Sequence, residues 1–133
     1  MSETRILLIE DDKFLRRACE VGLKKRGFAV ITANDGEEGL QKARTESFDL
    51  ILMDMLMPKL SGLETLESLK KDEKTRGIPV VILSNSSLET DMQRAMELGA
   101  AGYLVKASLS LQELADHVTS FLKEAGSAGE TPK

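Results

Sequence analysis

Five short apolar runs punctuate the 133-residue chain: Ile6–Ile9, Ala29–Ala33, Leu50–Met53, Val80–Leu83 and Tyr103–Val105. A longer stretch with apolar residues at helical spacing follows each. This alternation constrains the fold more than any other feature. Runs of four or five residues rich in Ile, Val and Leu suit strands covered on both faces, as in a parallel sheet beneath helices. Phe14, Ala18, Val21 and Gly22 share one stripe of the first helical stretch, among Lys13, Arg16, Arg17 and Glu20. Leu111, Leu114, Val118, Phe121 and Leu122 share a stripe of the last. Ser61-x-x-Glu64, Ser86-x-x-Glu89 and Ser110-x-x-Glu113 predict capping boxes, Asp35-x-x-Glu38 is an aspartate version, and Gly27 and Gly99 stand where helices should stop. The resulting βαβαβαβαβα order predicts one α/β domain. Its core is a doubly wound five-stranded parallel sheet, with right-handed crossovers and helices on both faces.

The domain is expected to occupy residues 1–123, with 124–133 (EAGSAGETPK) as a disordered tail or linker stump. Lys and Arg number 18 against 22 Asp and Glu, so the chain lacks the basic excess on which phosphate-backbone binding relies, and no direct nucleic-acid contact is expected. No apolar run approaches the roughly 18 residues of a membrane span. Membrane insertion is therefore not expected. Cys19 is the only cysteine and His117 the only histidine, which excludes an internal disulfide and a zinc site built from the two, and fits a reducing cytoplasm.

The informative polar residues follow the strands. Glu10, Asp11 and Asp12 come after the first, Asp54 after the third, Ser84 after the fourth and Lys106 after the fifth. Open α/β sheets bind ligands outside the carboxyl ends of their strands. Like charges about 4 Å apart repel by roughly 1 kcal/mol in water and several times more in a drier cleft, so a proton or a cation must compensate. An oxygen-only donor set favours Mg2+, which takes one or two carboxylates together with phosphate oxygens. Carboxylates also accept phosphoryl groups. Asp54, alone on its strand end, is the best-placed acceptor, with Glu10 and Asp11 left to hold the metal. There is no Gly-x-Ser-x-Gly elbow and no Gly-rich phosphate loop to suggest other chemistry.

Ile6-Leu-Leu-Ile-Glu10-Asp11-Asp12, Leu52-Met53-Asp54-Met55-Leu56-Met57-Pro58, Leu83-Ser84 and Gly102-Tyr103-Leu104-Val105-Lys106 occur in this order. Together they closely resemble the receiver domain of two-component response regulators, over roughly Glu3–Leu122. The resemblance implies the flavodoxin-like strand order 2-1-3-4-5. It implies that Asp54 takes a phosphoryl group from a phosphohistidine on a sensor histidine kinase or a histidine phosphotransfer protein. Asp11 and Asp54 would ligate Mg2+ directly, Glu10 would complete the acid pair, and Leu56 would offer its backbone carbonyl. Lys106 would pair with the phosphoryl oxygens, Ser84 would swing its hydroxyl toward them, and Tyr103 would turn inward with it. Output would pass to a downstream protein partner, with no turnover of an independent substrate.

Three positions depart from the family pattern, of which Glu10 in place of Asp is a common variant. Ala107 follows Lys106 where proline is common, leaving that bond either trans or cis under strain. Asn85, beside Ser84, is larger than usual and would either narrow access or donate a hydrogen bond. Ala107 and Asn85 motivate an alternative, a non-phosphorylated receiver-like adaptor serving only as a docking surface. A Mg2+ phosphohydrolase of the haloacid dehalogenase type is disfavoured, because Leu56 stands where that chemistry needs a second Asp. Plainer readings stand beside these: Asp11 and Asp12 as mere caps of the first helix, which is disfavoured, Met53, Met55 and Met57 as core packing, Cys19 as a small, partly buried residue, and His117 at the rim of the last helix.

Overall fold

The computed structural model describes residues 3–57 and 60–130, the side chains of 125–130 excepted. Five parallel strands form the sheet: β1 (Arg5–Ile9), β2 (Ala29–Ala33), β3 (Leu50–Asp54), β4 (Val80–Ser84) and β5 (Gly102–Val105). Their order is β2-β1-β3-β4-β5. The helices are α1 (Lys13–Lys25), α2 (Gly36–Thr45), α3 (Gly62–Lys71), α4 (Glu89–Glu97) and α5 (Leu111–Glu130).

Alternation along the central strands sorts the core into two layers. Leu7, Ile9, Ile51, Met53, Val80 and Ile82 pack on one face with Leu40, Leu66, Leu69 and Ala95 from α2, α3 and α4. Ile6, Leu8, Leu50, Leu52, Val81 and Leu83 pack on the other with Cys19, Leu23, Leu114 and Val118 from α1 and α5. Burial on both sides explains why these strands read as continuous apolar runs.

Most of the start and stop signals act as expected. Ser61 and Glu64 form a complete capping box, Ser110 and Glu113 exchange the same pair of bonds, and Asp35 accepts the Glu38 amide. Gly27 and Gly99 adopt φ of 92° and 104°, a region that favours glycine, just past α1 and α4.

Two expectations need correction. The box predicted at Ser86-x-x-Glu89 does not form: α4 starts after Leu88 without a side-chain cap, and the Ser86 hydroxyl instead donates to Asp91. On α1, the core-facing row is Leu15, Cys19 and Leu23. Phe14, at 84% exposed, and Val21 turn outward. With Ala18, Gly22, Leu111 and the basic rim of Arg17, Lys25 and Arg26, they line a groove of about 630 Å3 against α5. The α5 backbone runs to Glu130, into the 124–133 segment set apart above as a disordered tail or linker stump. Adding residues to an anchored helix is far easier than nucleating one, and Ala125, Ala128 and Glu130 are good helix formers. Residues 131–133 of that segment lie outside the described residues, as does Pro58 of the β3 motif.

Candidate functional site

The site lies on the carboxyl edge of the sheet. β1 runs directly into Glu10, which is 1% exposed. Its Oε2 accepts the Asp12 amide at 3.1 Å, and its carbonyl accepts the Arg16 guanidinium at 2.8 Å. The neighbouring acids divide their work. Asp12 Oδ1 accepts the amides of Phe14 and Leu15 at 2.9 and 3.1 Å, capping α1. Asp11 remains exposed and meets the other acids: one oxygen each from Glu10, Asp11 and Asp54 lie within 4.8 Å of one another. Asp54 ends β3 and is buried.

Lys106 opens a short 3-10 turn after β5. Its Nζ stands 3.2 Å from Glu10 Oε1 and 3.2 Å from Asp54 Oδ1. Burial alone would lower the ammonium's pKa, but Asp54 and Glu10 outweigh that and hold it above its ordinary value. Burial pushes the Glu10 carboxyl up to about 7, with the Asp54 charge adding to the rise and the Asp12 amide and Lys106 opposing it. One ammonium thus pairs with two carboxylates, and a third carboxylate lies beside them. Glu10 Oε1 is buried and has no hydrogen bond despite its ion pair. Oxygen-only donors, excess negative charge and an orphaned buried oxygen fit a hard divalent cation.

A second cluster lies beside the acids. Ser84, which ends β4, is buried; its Oγ accepts the Ser86 amide at 3.0 Å and lies 3.8 Å from the Met55 sulfur. The half-buried Tyr103 donates its hydroxyl to the Ser86 carbonyl at 2.9 Å. After β3 the chain folds back tightly, with the Gly62 amide donating to the Met55 carbonyl at 2.7 Å. A Cβ at Gly62 would fall 2.3 Å from the Asp54 carbonyl oxygen, so a side chain there would displace the backbone that carries Asp54. The Leu56 side chain is 72% exposed, which leaves any contribution of that residue to its backbone.

The expected residues therefore fall into two neighbouring groups: Glu10, Asp11, Asp54 and Lys106 together, and Ser84 with Tyr103. The Lys106–Ala107 bond is trans, as are all peptide bonds among the described residues. Asn85 is exposed. Arg16, Met55 and Ser86 were not singled out for the site by sequence reasoning. Arg16 looked like part of a solvated helix face, Met55 like core and Ser86 like a helix cap. Only the excess of hydroxyls after β4 signalled Ser86.

Residues 6–119 match the family described as the response regulator receiver domain. The transcriptional activator protein PfeR of Pseudomonas aeruginosa is 40% identical over 119 residues, covering 90% of this chain and 38% of that protein. The alkaline phosphatase synthesis transcriptional regulatory protein PhoP of Bacillus subtilis is 35% identical over 121 residues, covering 91% of this chain and 49% of that protein. The chain thus spans half the length of these relatives or less. Among solved structures, Vibrio cholerae chemotaxis protein CheY4 superposes with a TM-score of 0.85 at 27% identity, covering 90% of this chain and 99% of its own. The receiver domain of the Pseudomonas aeruginosa sensor histidine kinase PA1611, with a magnesium ion coordinated in its active-site cleft, superposes at 0.82 with 26% identity, covering 92% and 99%. Four ordered motifs, the 2-1-3-4-5 sheet and three clustered acids beside one lysine converge with these matches: the chain belongs to the receiver-domain family of two-component response regulators.

Proposed function

We propose that Asp54 is the phosphoacceptor of a signalling switch or relay carrier, charged by a phosphohistidine on a sensor histidine kinase or histidine phosphotransfer protein. The observation that carries this reading is the buried Asp54 carboxylate held between Lys106 and the Glu10–Asp11 pair. Glu10, Asp11 and Asp54 would hold Mg2+, with the Leu56 carbonyl as a backbone ligand. The ion supplies charge neutralisation to the phosphoryl oxygens when bound.

The remaining chemistry belongs to the chain. A carboxylate oxygen of Asp54 attacks phosphorus, the P–N bond breaks, and the electron pair returns to the imidazole nitrogen. Asp54 suits this role better than Glu10, whose carboxylate is already tied to the Asp12 amide and buried at the end of β1. Lys106 stays protonated and faces the transferred group. The product carries about two negative charges where the carboxylate carried one, and Ser84 is drawn to it with Tyr103 following. Driving a two-state equilibrium from mostly off to mostly on takes about 5.5 kcal/mol, which two or three charge-assisted hydrogen bonds of roughly 1.5–3 kcal/mol each supply.

Output then passes by protein contact, without turnover of a separate substrate. The functional unit is residues 1–123, acting in the cytoplasm, and the helix beyond Glu124 extends from it. The decisive experiment treats the chain with acetyl phosphate and Mg2+ and reads intact mass beside Asp54→Asn. A phosphate-sized gain absent from the variant supports the reading. No gain, even with a phosphohistidine protein donor, overturns it in favour of the non-phosphorylated adaptor.

A further inference from the structure

We propose that Met55 is a positioning residue whose thioether holds the Ser84 hydroxyl proton against a weak acceptor, and so sets how readily that hydroxyl turns toward a group on Asp54. This deepens the function proposed above and rests on Asp54 and Ser84 acting as stated there.

The argument starts from a count of protons. Ser84 is 1% exposed, so its hydroxyl must be satisfied inside the protein. The oxygen already accepts the Ser86 amide at 3.0 Å. The proton's acceptor is the Met55 sulfur at 3.8 Å. Tyr103 brings its hydroxyl to 4.0 Å from the same sulfur, but its one proton goes to the Ser86 carbonyl at 2.9 Å. The sulfur therefore neighbours both hydroxyls and serves only Ser84.

The sulfur is also held in place. Met55 is buried, its amide donates to the Leu83 carbonyl at 3.3 Å, and its carbonyl accepts the Gly62 amide at 2.7 Å. A thioether is a weak acceptor compared with a carbonyl or a charged oxygen. Ser84 is thus satisfied at rest yet gives up little when it leaves for a charged phosphoryl oxygen. A stronger acceptor at position 55 would hold the hydroxyl back, and no acceptor would release it.

Two substitutions act in opposite directions. Met55→Leu roughly conserves volume and removes the acceptor. Met55→Gln supplies an amide oxygen. Tyr103 is the only tyrosine and there is no tryptophan, so intrinsic fluorescence reports directly from this cluster. Titrating the full chain with beryllofluoride in the presence of Mg2+ should show Met55→Leu binding about twofold tighter, the low end of one net hydrogen bond as suits a weak acceptor, and Met55→Gln weaker by about three- to tenfold. Both shifts should vanish in a Ser84→Ala background. Denaturant unfolding of each variant confirms that it folds.

Unchanged affinity in Met55→Leu overturns the proposal, as do shifts that persist without the Ser84 hydroxyl, which would mark Met55 as packing alone. A parent chain that does not respond to beryllofluoride overturns the Asp54 reading as well. A responding parent with unresponsive substitutions overturns only the role of Met55.

Discussion

The two edges of the same sheet handle charge in opposite ways. At the amino edge, the Arg5 amide donates to the Asp49 carboxylate at 2.8 Å. Its guanidinium donates to the Ser47 carbonyl at 2.8 Å and to Glu46 at 2.7 Å, and it stacks 5.2 Å from the Phe48 ring centre. Every charge that Arg5 meets there is opposed. At the carboxyl edge, three carboxylates cluster beside one ammonium, a buried Glu10 oxygen has no hydrogen bond, and a buried hydroxyl donates only to sulfur. The amino edge contributes modestly to stability and asks for nothing further. The carboxyl edge carries electrostatic demands that an incoming cation and phosphoryl group can meet.

That contrast predicts a hierarchy of effects. Glu10→Gln should have the largest effect on the metal-free fold. The Glu10 carboxyl is raised from an ordinary 4.5 to about 7 in the folded protein. Its stabilising proton is therefore fully present below about pH 4.5 and lost as pH rises through about 7. Metal-free chain should lose on the order of 2–3 kcal/mol across that window, and Glu10→Gln should flatten the loss while weakening Mg2+ binding. Urea unfolding at pH 5 and pH 8, with and without Mg2+, reads both. Equal stability at the two pH values in the parent would remove the contrast.

Lys106→Met should come next. It strips the single ammonium from Asp54 and Glu10, costing about 1–3 kcal/mol without metal, since Lys106 retains some solvent contact. Mg2+ should bind more tightly to the variant because one positive competitor is gone, while phosphoryl uptake falls. Calorimetric titration with Mg2+ separates these effects, and weaker Mg2+ binding would contradict the charge argument. Arg5→Ala should matter least, within about 1 kcal/mol, because its ion pair is well exposed. It should leave Mg2+ affinity and phosphorylation unchanged. A larger loss would mean that the amino edge contributes more than exposed pairing allows.

The strands were readable from sequence because burial on both faces leaves little room for polar residues. The acid set was readable because the ends of parallel strands converge on one edge. The face of α1 was not, since that helix carries two apolar rows. Phe14, Ala18, Val21 and Gly22 compete with Leu15, Cys19 and Leu23, and only packing against β1 and α5 selects the second row. Ser86 fits a cap by spacing, but Asp91 claims its hydroxyl, a choice between two local partners that spacing does not resolve. Met55 was correctly expected in the core, yet alternation says nothing about which proton a buried sulfur receives.

Cys19 turns that inner row of α1 into a clock. Its thiol is buried and pushed up to about 11 by burial, reinforced by the Glu10 charge and opposed by Lys106. In the closed protein it is neither accessible nor a thiolate. A thiol reagent can therefore label it only during excursions that lift α1 from β1, and the labelling rate measures how often those excursions occur. Because α1 is anchored to the site through Glu10 and Asp12, the same rate compared with and without Mg2+ reports how far a ligand at the carboxyl edge quiets motion through the layer beneath it.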